Sequence, residues 1–145
     1  MNAPADPQFA ARIRASFGRQ KAMSLIGARL TLVEPGRTEI ALAYREDLTQ
    51  QKGFIHGGII GMIADTACGY AAFSLMPAGC SLVTVEYKLN ILAPARRALL
   101  ARGEVVKAGR TLTVARGEVY ADDGGHVATM QQTLMMLPGT PDTPE

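Results

Sequence analysis

The chain has 145 residues, of which 48% are hydrophobic and 19% are charged. This length corresponds to about one domain, and the hydrophobic fraction excludes a disordered chain and favours a packed globule. The 15 Lys and Arg residues exceed the 13 Asp and Glu residues by only two charges, which is too small an excess to indicate a nucleic-acid-binding surface.

The cysteines and the N-terminus indicate where the protein works. Cys68 and Cys80 lack the spacing of a metal or redox motif, so a disulfide framework is excluded and a reducing compartment is favoured. With only 2 histidines and no cluster of Cys and His, we expect no metal. We also expect no cofactor. Because the N-terminus lacks the basic start and apolar run of a secretory signal, we expect a cytoplasmic protein.

The first predicted elements are a short helix and a hairpin. Asp6-Pro7 is typical of a helix start, and Phe9, Ile13 and Phe17 follow at helical spacing. Alternating apolar residues then predict two strands on either side of a turn at residues 34–37. We divide the chain into an N-terminal helical segment (1–24), a main domain (25–138) and a flexible tail (139–145).

A long apolar helix and four strands make up the rest of the main domain. The helix is predicted over Gly57–Leu75, and strands over 81–91, 99–107, 111–121 and 126–137. In the first of these strands, alternate residues from Val83 to Ile91 are expected to share one face. The helix could span a membrane by length, but its Gly and Ala content and Asp65 argue against this. The pattern predicts an α+β fold, with an antiparallel sheet wrapped around the central helix.

Asp65 is the most informative residue of the predicted helix, because its neighbours between Gly57 and Phe73 are almost all apolar. Burying an unpaired carboxylate is costly. Asp65 therefore either meets an Arg or Lys or water at an edge, or it is a functional carboxylate that acts as a base or nucleophile.

The helix begins with His56-Gly57-Gly58, which is the second candidate feature. Glycines at a helix start let a ligand approach unpaired N–H groups at the positive end of the helix dipole, where a carbonyl could be polarised. The alternative is an ordinary loop with a hydrogen-bonded histidine. Gly57 and Asp65 lie about 12 Å apart along one helix, so the spacing suggests a site shared by two antiparallel helices of a dimer.

The segment from His56 to Ala72, HGGIIGMIADTACGYAA, resembles the helix signature of hotdog-fold acyl-CoA thioesterases, in the phenylacetate-pathway (PaaI-type) branch of the 4HBT-like thioesterase superfamily. The resemblance extends over about residues 26–137 and includes Val83–Tyr87, Leu92–Pro94 and Lys107–Thr111. It implies a hotdog fold, homodimers that can pair into homotetramers, and two sites at the dimer interface.

The resemblance also implies roles for particular residues. Asp65 would be the general base or nucleophile, the Gly57 N–H would polarise the thioester carbonyl, and His56 would shape the helix entrance. Relatives carry Asn or Gln ahead of the glycines, a place for which Gln50 and Gln51 compete, with Gln50 favoured. Thr84 would help to hold the attacking water. The remaining candidates would bind substrate: Gly58 at the helix start, Ile59, Met62 and Ile63 around the acyl group, and Arg96, Lys107 and Arg110 at the coenzyme A phosphates.

The predicted function is hydrolysis of an aromatic or fatty acyl-CoA to the free acid and coenzyme A. A serine hydrolase is not indicated, since the sequence contains no Gly-x-Ser-x-Gly motif. One alternative is a non-catalytic acyl-CoA-binding module, which would gain nothing from a buried carboxylate beside a thioester. A second alternative is an acyl-thioester dehydratase, which would have Pro in place of Gly-Gly near its histidine.

Overall fold

The computed structural model describes residues 3–144. Its helices are α1 (Phe9–Arg19), α2 (Lys21–Ile26) and α3 (Gly57–Phe73), and a short 3-10 helix covers Glu46–Leu48. Its strands are β1 (Arg29–Glu34), β2 (Arg37–Leu42), β3 (Ser81–Ile91), β4 (Leu99–Ala108), β5 (Leu112–Ala121) and β6 (His126–Leu137). They form one antiparallel sheet in the order β1-β2-β4-β5-β6-β3.

The sheet packs around α3, which confirms the predicted α+β fold with a long central helix. The helix contacts β2, β3, β4, β5 and β6, and side chains on several of its faces are buried, including Ile60, Ile63 and Ala67. A helix that is apolar nearly all round is stable in water only when it is covered in this way. No helix within the described residues is long and apolar enough to cross a membrane.

Two glycines let the sheet approach the helix closely. Gly103 on β4 and Gly117 on β5 lie directly opposite each other in the ladder. A Cβ at Gly103 would lie 2.3 Å from the backbone of Ala67, and one at Gly117 would lie 2.9 Å from the Sγ of Cys68. Because no other residue lacks a Cβ, this glycine pair permits the contact between strand and helix backbones.

Helix α1 packs into the main core. Its Ile13 is fully buried, and its Arg12 guanidinium donates to the carbonyls of Phe73, Met76 and Pro77, where α3 ends. A cation that binds the last carbonyls stabilises a helix C-terminus. The predicted start of α1 was wrong by two residues, since the N-cap residue is Gln8, and the short helix α2 was not predicted.

Strand β3 differs from its predicted pattern because it contains a bulge between Thr84 and Glu86. A bulge inserts one extra residue and reverses which side chains face the core. Val83 pairs with Met135 on the outer face, whereas Tyr87 pairs with Gln132 on the inner face. The expectation that Val83 and Tyr87 share a face was therefore wrong, and the reversal leaves both Thr84 and Tyr87 on the side of α3.

Candidate active site

Asp65 is held by two side chains of the sheet. The Thr84 hydroxyl donates to Asp65 Oδ1 at 2.9 Å, and the Gln132 amide also donates to this oxygen. The same amide nitrogen donates to the Thr84 Oγ1 at 2.9 Å, so the three side chains form a closed triangle. Within residues 3–144, Asp65 Oδ2 accepts no hydrogen bond, which leaves one carboxylate oxygen available to a bound molecule.

Sequence reasoning missed Gln132, although it completes this triangle. Gln132 is fully buried on β6, and its Oε1 is a buried acceptor with no partner among the described residues. Buried polar groups are normally paired, so this amide oxygen is a candidate acceptor for a bound molecule or water, while the amide nitrogen orients Asp65. A polar residue within an otherwise apolar strand face, with Met130 and Leu134 on either side, is the signal that could have pointed to it.

The N-terminus of α3 is built by the predicted His-Gly-Gly segment. His56 is the N-cap, and its Nδ1 accepts a hydrogen bond of 2.8 Å from the Gly58 N–H. The His56 carbonyl accepts from the N–H groups of Ile59 and Ile60. No such partner is found for the Gly57 N–H in the part of the chain that the structure describes. This N–H is therefore free to donate at the positive end of the helix.

The two ends of α3 face different pockets. Asp65 and Thr84 line a pocket of about 520 Å³ that continues along α3 to Tyr70 and Phe73. Gly57 and Gln50 line a second pocket of about 310 Å³ under Ile91. Gln51 is exposed and belongs to neither lining, so the structure places Gln50, and not Gln51, beside the helix entrance.

The three helix residues predicted around an acyl group lie in or against the core of the protomer. Ile63 is fully buried in the core, while Ile59 and Met62 are partly buried against that core. None of the three lines the Asp65 pocket. Ile59 and Met62 lie on the same stripe of the helix as Thr66, but they precede Asp65, whereas the pocket extends from Asp65 toward the C-terminus of α3 along Thr66, Gly69, Tyr70 and Phe73.

The three predicted phosphate-binding cations lie at two ends of the sheet. Arg96 lies near the start of β4, where its guanidinium stacks 4.1 Å over the Phe54 ring and donates to the Lys52 carbonyl. Lys107 lies at the end of β4, and Arg110 is in the following turn. Since eight residues of strand separate Leu99 from Lys107, these ends are roughly 26 Å apart. One protomer does not bring the three cations together.

The thiol of Cys68 lies on the core side of α3 and is not part of the pocket. Burial, with smaller contributions from the charges of Asp65 and Glu118, raises the pKa of Cys68 to about 12, so it remains a thiol and not a nucleophilic thiolate. Both cysteines are free. Within residues 3–144, no group of three or more His, Cys, Asp or Glu side chains is placed to hold a metal ion.

Comparison with known proteins identifies a single family. Residues 52–128 match the family model of the thioesterase superfamily. A protein from Halobacterium salinarum that is named provisionally as an esterase is 33% identical over 98 residues, which cover 64% of this chain and 65% of that protein. A similarly named protein from Saccharolobus solfataricus is 34% identical over 93 residues, which cover 63% and 66%. The chain thus spans slightly less than two thirds of these relatives.

Solved structures agree with this family. The crystal structure of a thioesterase family protein from Silicibacter pomeroyi is 50% identical, has a TM-score of 0.87, and covers 90% of this chain and 99% of its own. The E. coli PaaI protein from the phenylacetic acid degradation operon has a TM-score of 0.86 at 19% identity, covering 94% of this chain and 99% of its own. At that identity, the second likeness shows the fold alone.

Proposed function

Because this chain belongs to the thioesterase superfamily, we propose that it hydrolyses acyl-CoA thioesters at two sites shared across a homodimer, with Asp65 as the general base or nucleophile. The observation that carries the proposal is the Asp65 carboxylate, held through one oxygen by Thr84 and Gln132 in the wall of a 520 Å³ pocket. A thioester carbonyl is electrophilic enough for one carboxylate and one N–H donor to suffice.

Strand β3 is the surface through which two protomers would pair. Among the described strands it is an edge strand, hydrogen-bonded only to β6. It exposes apolar side chains, with Val85 at 54%, Tyr87 at 46% and Ile91 at 48% exposure. A long, apolar and unprotected edge is a template for pairing with another chain. A second copy of β3, arranged antiparallel about a two-fold axis, satisfies its free backbone groups.

The register of this pairing decides whether a shared site forms. Thr84 lies over Asp65, and Ile91 lies over Gly57, where a Cβ would be 2.7 Å from the Ile91 Cδ1. A two-fold axis midway between Thr84 and Ile91 places Thr84 of one protomer opposite Ile91 of the other. Paired strands lie about 4.8 Å apart, so this register brings Asp65 of one protomer toward Gly57 of the other.

In this arrangement each group has a separate task. The free Gly57 N–H donates to the thioester carbonyl oxygen, and Gln50 lines the same end of the site. Asp65 Oδ2 either removes a proton from water as the water attacks the carbonyl carbon, or attacks that carbon itself. In both cases the bond to sulfur breaks, and coenzyme A leaves as the thiol after protonation. In the first case the acid forms directly; in the second, water then hydrolyses the anhydride between the acyl group and Asp65, which releases the acid and restores the carboxylate. Thr84 and Gln132 keep the carboxylate oriented.

The cations fit the same dimer. Arg96 lies at the Gly57 end of a protomer, and Lys107 and Arg110 lie beyond the other end of the sheet. An antiparallel dimer brings unlike ends together, so Arg96 of one protomer and the Lys107–Arg110 turn of the other are the candidates for the phosphates of one coenzyme A.

A subunit-complementation experiment tests the shared site. Asp65→Asn removes the carboxylate, and Gly57→Pro removes the N–H at the first helical position, where proline is tolerated. Each variant alone should be inactive. A randomly mixed pair should regain about a quarter of wild-type activity, because half the dimers are mixed and each keeps one intact site.

Gly57→Ala is the matched control, since it meets the same Ile91 contact and retains the N–H. It should keep most of the activity that Gly57→Pro loses. No recovery in the mixture would place both groups in one protomer and refute the shared site. If the wild type binds acyl-CoA but does not hydrolyse it, the protein is a binding module and not an enzyme.

A further inference from the structure

The far end of the Asp65 pocket is a polar wall made by α1, α3 and the C-terminal segment 141–144. The Gln20 amide donates to the Tyr70 hydroxyl at 3.0 Å, and the Tyr70 and Ser16 hydroxyls are 3.0 Å apart. Ser16 in turn donates to the Asp142 carboxylate. Tyr70 and Ser16 are only 5% and 6% exposed, so these two hydroxyls are shielded from water, whereas the Asp142 side chain is 38% exposed.

The hydrogen bonds of this wall run in one direction. Because a carboxylate can only accept, the Ser16 proton is committed to Asp142, and the Tyr70 hydroxyl must donate to Ser16. Burial raises the pKa of Tyr70 and outweighs the opposing hydrogen bonds from Ser16 and Gln20, which keeps this hydroxyl protonated. The chain of donors therefore ends on Asp142, the single group that the C-terminal segment adds to it.

Arg19 fixes the C-terminal segment in place. Its Nη2 donates to the Asp142 carbonyl at 2.6 Å and to Asp142 Oδ2 at 3.2 Å. The neighbours Pro141, Thr143 and Pro144 also line the pocket, and proline restricts the backbone. The sequence predicts a flexible tail here; in the structure Asp142 contacts Ser16 and Arg19 of α1, and residues 141–144 line the pocket.

The distance from Asp65 to this wall sets the length of acyl chain that fits in the pocket. Tyr70 follows Asp65 by five residues on α3, which is about 7.5 Å along the helix axis. An acyl group with its carbonyl at Asp65 and its chain along α3 therefore meets the network of Ser16, Tyr70 and Asp142 after a short distance.

We propose that residues 141–144 form the end wall of the acyl pocket, and that Asp142, through Ser16 and Tyr70, limits the length of the acyl group that the enzyme accepts. The inference rests on the proposed function, because it takes the Asp65 pocket as the acyl site. It makes the C-terminal segment a specificity determinant.

Binding of coenzyme A thioethers tests the wall without relying on turnover, since a thioether cannot be hydrolysed. Dissociation constants are measured by calorimetry for S-alkyl-coenzyme A compounds of four to sixteen carbons. The proteins are the wild type, a variant ending after Leu137, and Asp142→Ala. Asp122→Ala is the matched control, because it removes an exposed carboxylate that pairs with Arg97 at 3.2 Å away from the pocket.

Burial of each methylene group lowers the dissociation constant by about fourfold, so burial of two further methylenes lowers it by more than tenfold. We expect the truncated variant to bind the longest thioethers at least tenfold more tightly than the wild type, with the shortest unchanged within about twofold. Asp142→Ala should shift in the same direction by less, and Asp122→Ala should not shift. Melting temperatures verify that each variant is folded.

The outcomes separate the two proposals. The end wall would be overturned if the dissociation constant depended on alkyl chain length in the same way in all four proteins. It would also be overturned if no thioether bound. A shifted profile in a protein that hydrolyses no acyl-CoA would uphold the end wall and overturn the proposed enzymatic function.

Discussion

Replacing Asp65 by Asn separates the chemistry of this carboxylate from its structural role. Asn has the same shape, and its carbonyl oxygen can occupy the position of Oδ1, where it accepts from Thr84 and Gln132 as Asp65 does. Both hydrogen bonds survive, but each changes from charge-assisted to neutral. The difference is about 1 kcal/mol per bond, so the variant should lose at most about 2 kcal/mol of stability.

The loss of activity should be much larger. Asn can neither remove a proton from water nor form an acyl intermediate through a carboxylate oxygen. General-base catalysis contributes about 10²–10⁴-fold, so we expect turnover to fall by about 10³-fold, which corresponds to about 4 kcal/mol of transition-state stabilisation. Acyl-CoA binding should remain within a few-fold of wild type, because no contact with the acyl group is removed.

The assay follows thiol release from a panel of arylacetyl, benzoyl and short-to-long fatty acyl-CoA thioesters, and calorimetry measures binding. Asp122→Asn, in an exposed ion pair with Arg97, is the control for loss of a negative charge. Equal losses of binding and turnover would mark Asp65 as structural. Turnover that remains within tenfold of wild type would refute the assignment of Asp65 to the chemical step.

Three further predictions follow from buried groups. Gln132→Leu removes both hydrogen bonds that the amide donates, together with its unpaired buried oxygen. Steady-state kinetics should show kcat lowered about 10–100-fold and KM within about twofold, with little change in stability. Exposed Gln131→Leu should change neither constant, and a rise in KM that matches the fall in kcat would argue against a positioning role for Gln132. Gly103→Ala places a Cβ 2.3 Å from the helix backbone, and it should lower the free energy of unfolding by about 1–3 kcal/mol or more and with it the melting temperature. Gly18→Ala, whose Cβ would have no atom within 4 Å, should leave the melting temperature unchanged or raise it. Equal melting temperatures for the two variants would contradict the close approach of β4 to α3. Because burial raises the pKa of Cys68 to about 12, a thiol reagent at pH 8 should label it only after denaturation, and rapid labelling of the native protein would show that α3 is less enclosed.

The order and type of most elements could be predicted from local pattern. The predicted strands at 81–91, 99–107, 111–121 and 126–137 differ from β3, β4, β5 and β6 by one residue at most, because apolar alternation and glycine turns are properties of neighbouring residues. Asp65 could likewise be singled out, since a lone carboxylate in an apolar helix is visible without knowing what surrounds it.

The partners of Asp65 depended on tertiary structure. Gln132 lies 67 residues away in the sequence, and only the register of β3 against β6 brings it to the carboxylate. The bulge after Thr84 reverses the alternation of side chains, so counting by twos along β3 misplaces Val83 relative to Tyr87. Sequence patterns carry the local period, but a bulge and a strand register are set by packing across the sheet.

Local sequence pattern and tertiary packing also contribute separately to the C-terminal segment and to the contact between β4 and α3. The sequence by itself determined a buried apolar helix beginning at His56-Gly57-Gly58, because glycine and apolar side chains restrict the local options. Only the folded chain placed Asp142 against Ser16, 126 residues away, and set Gly103 against α3. Both contacts close long loops, and their free energy depends on every element packed between them.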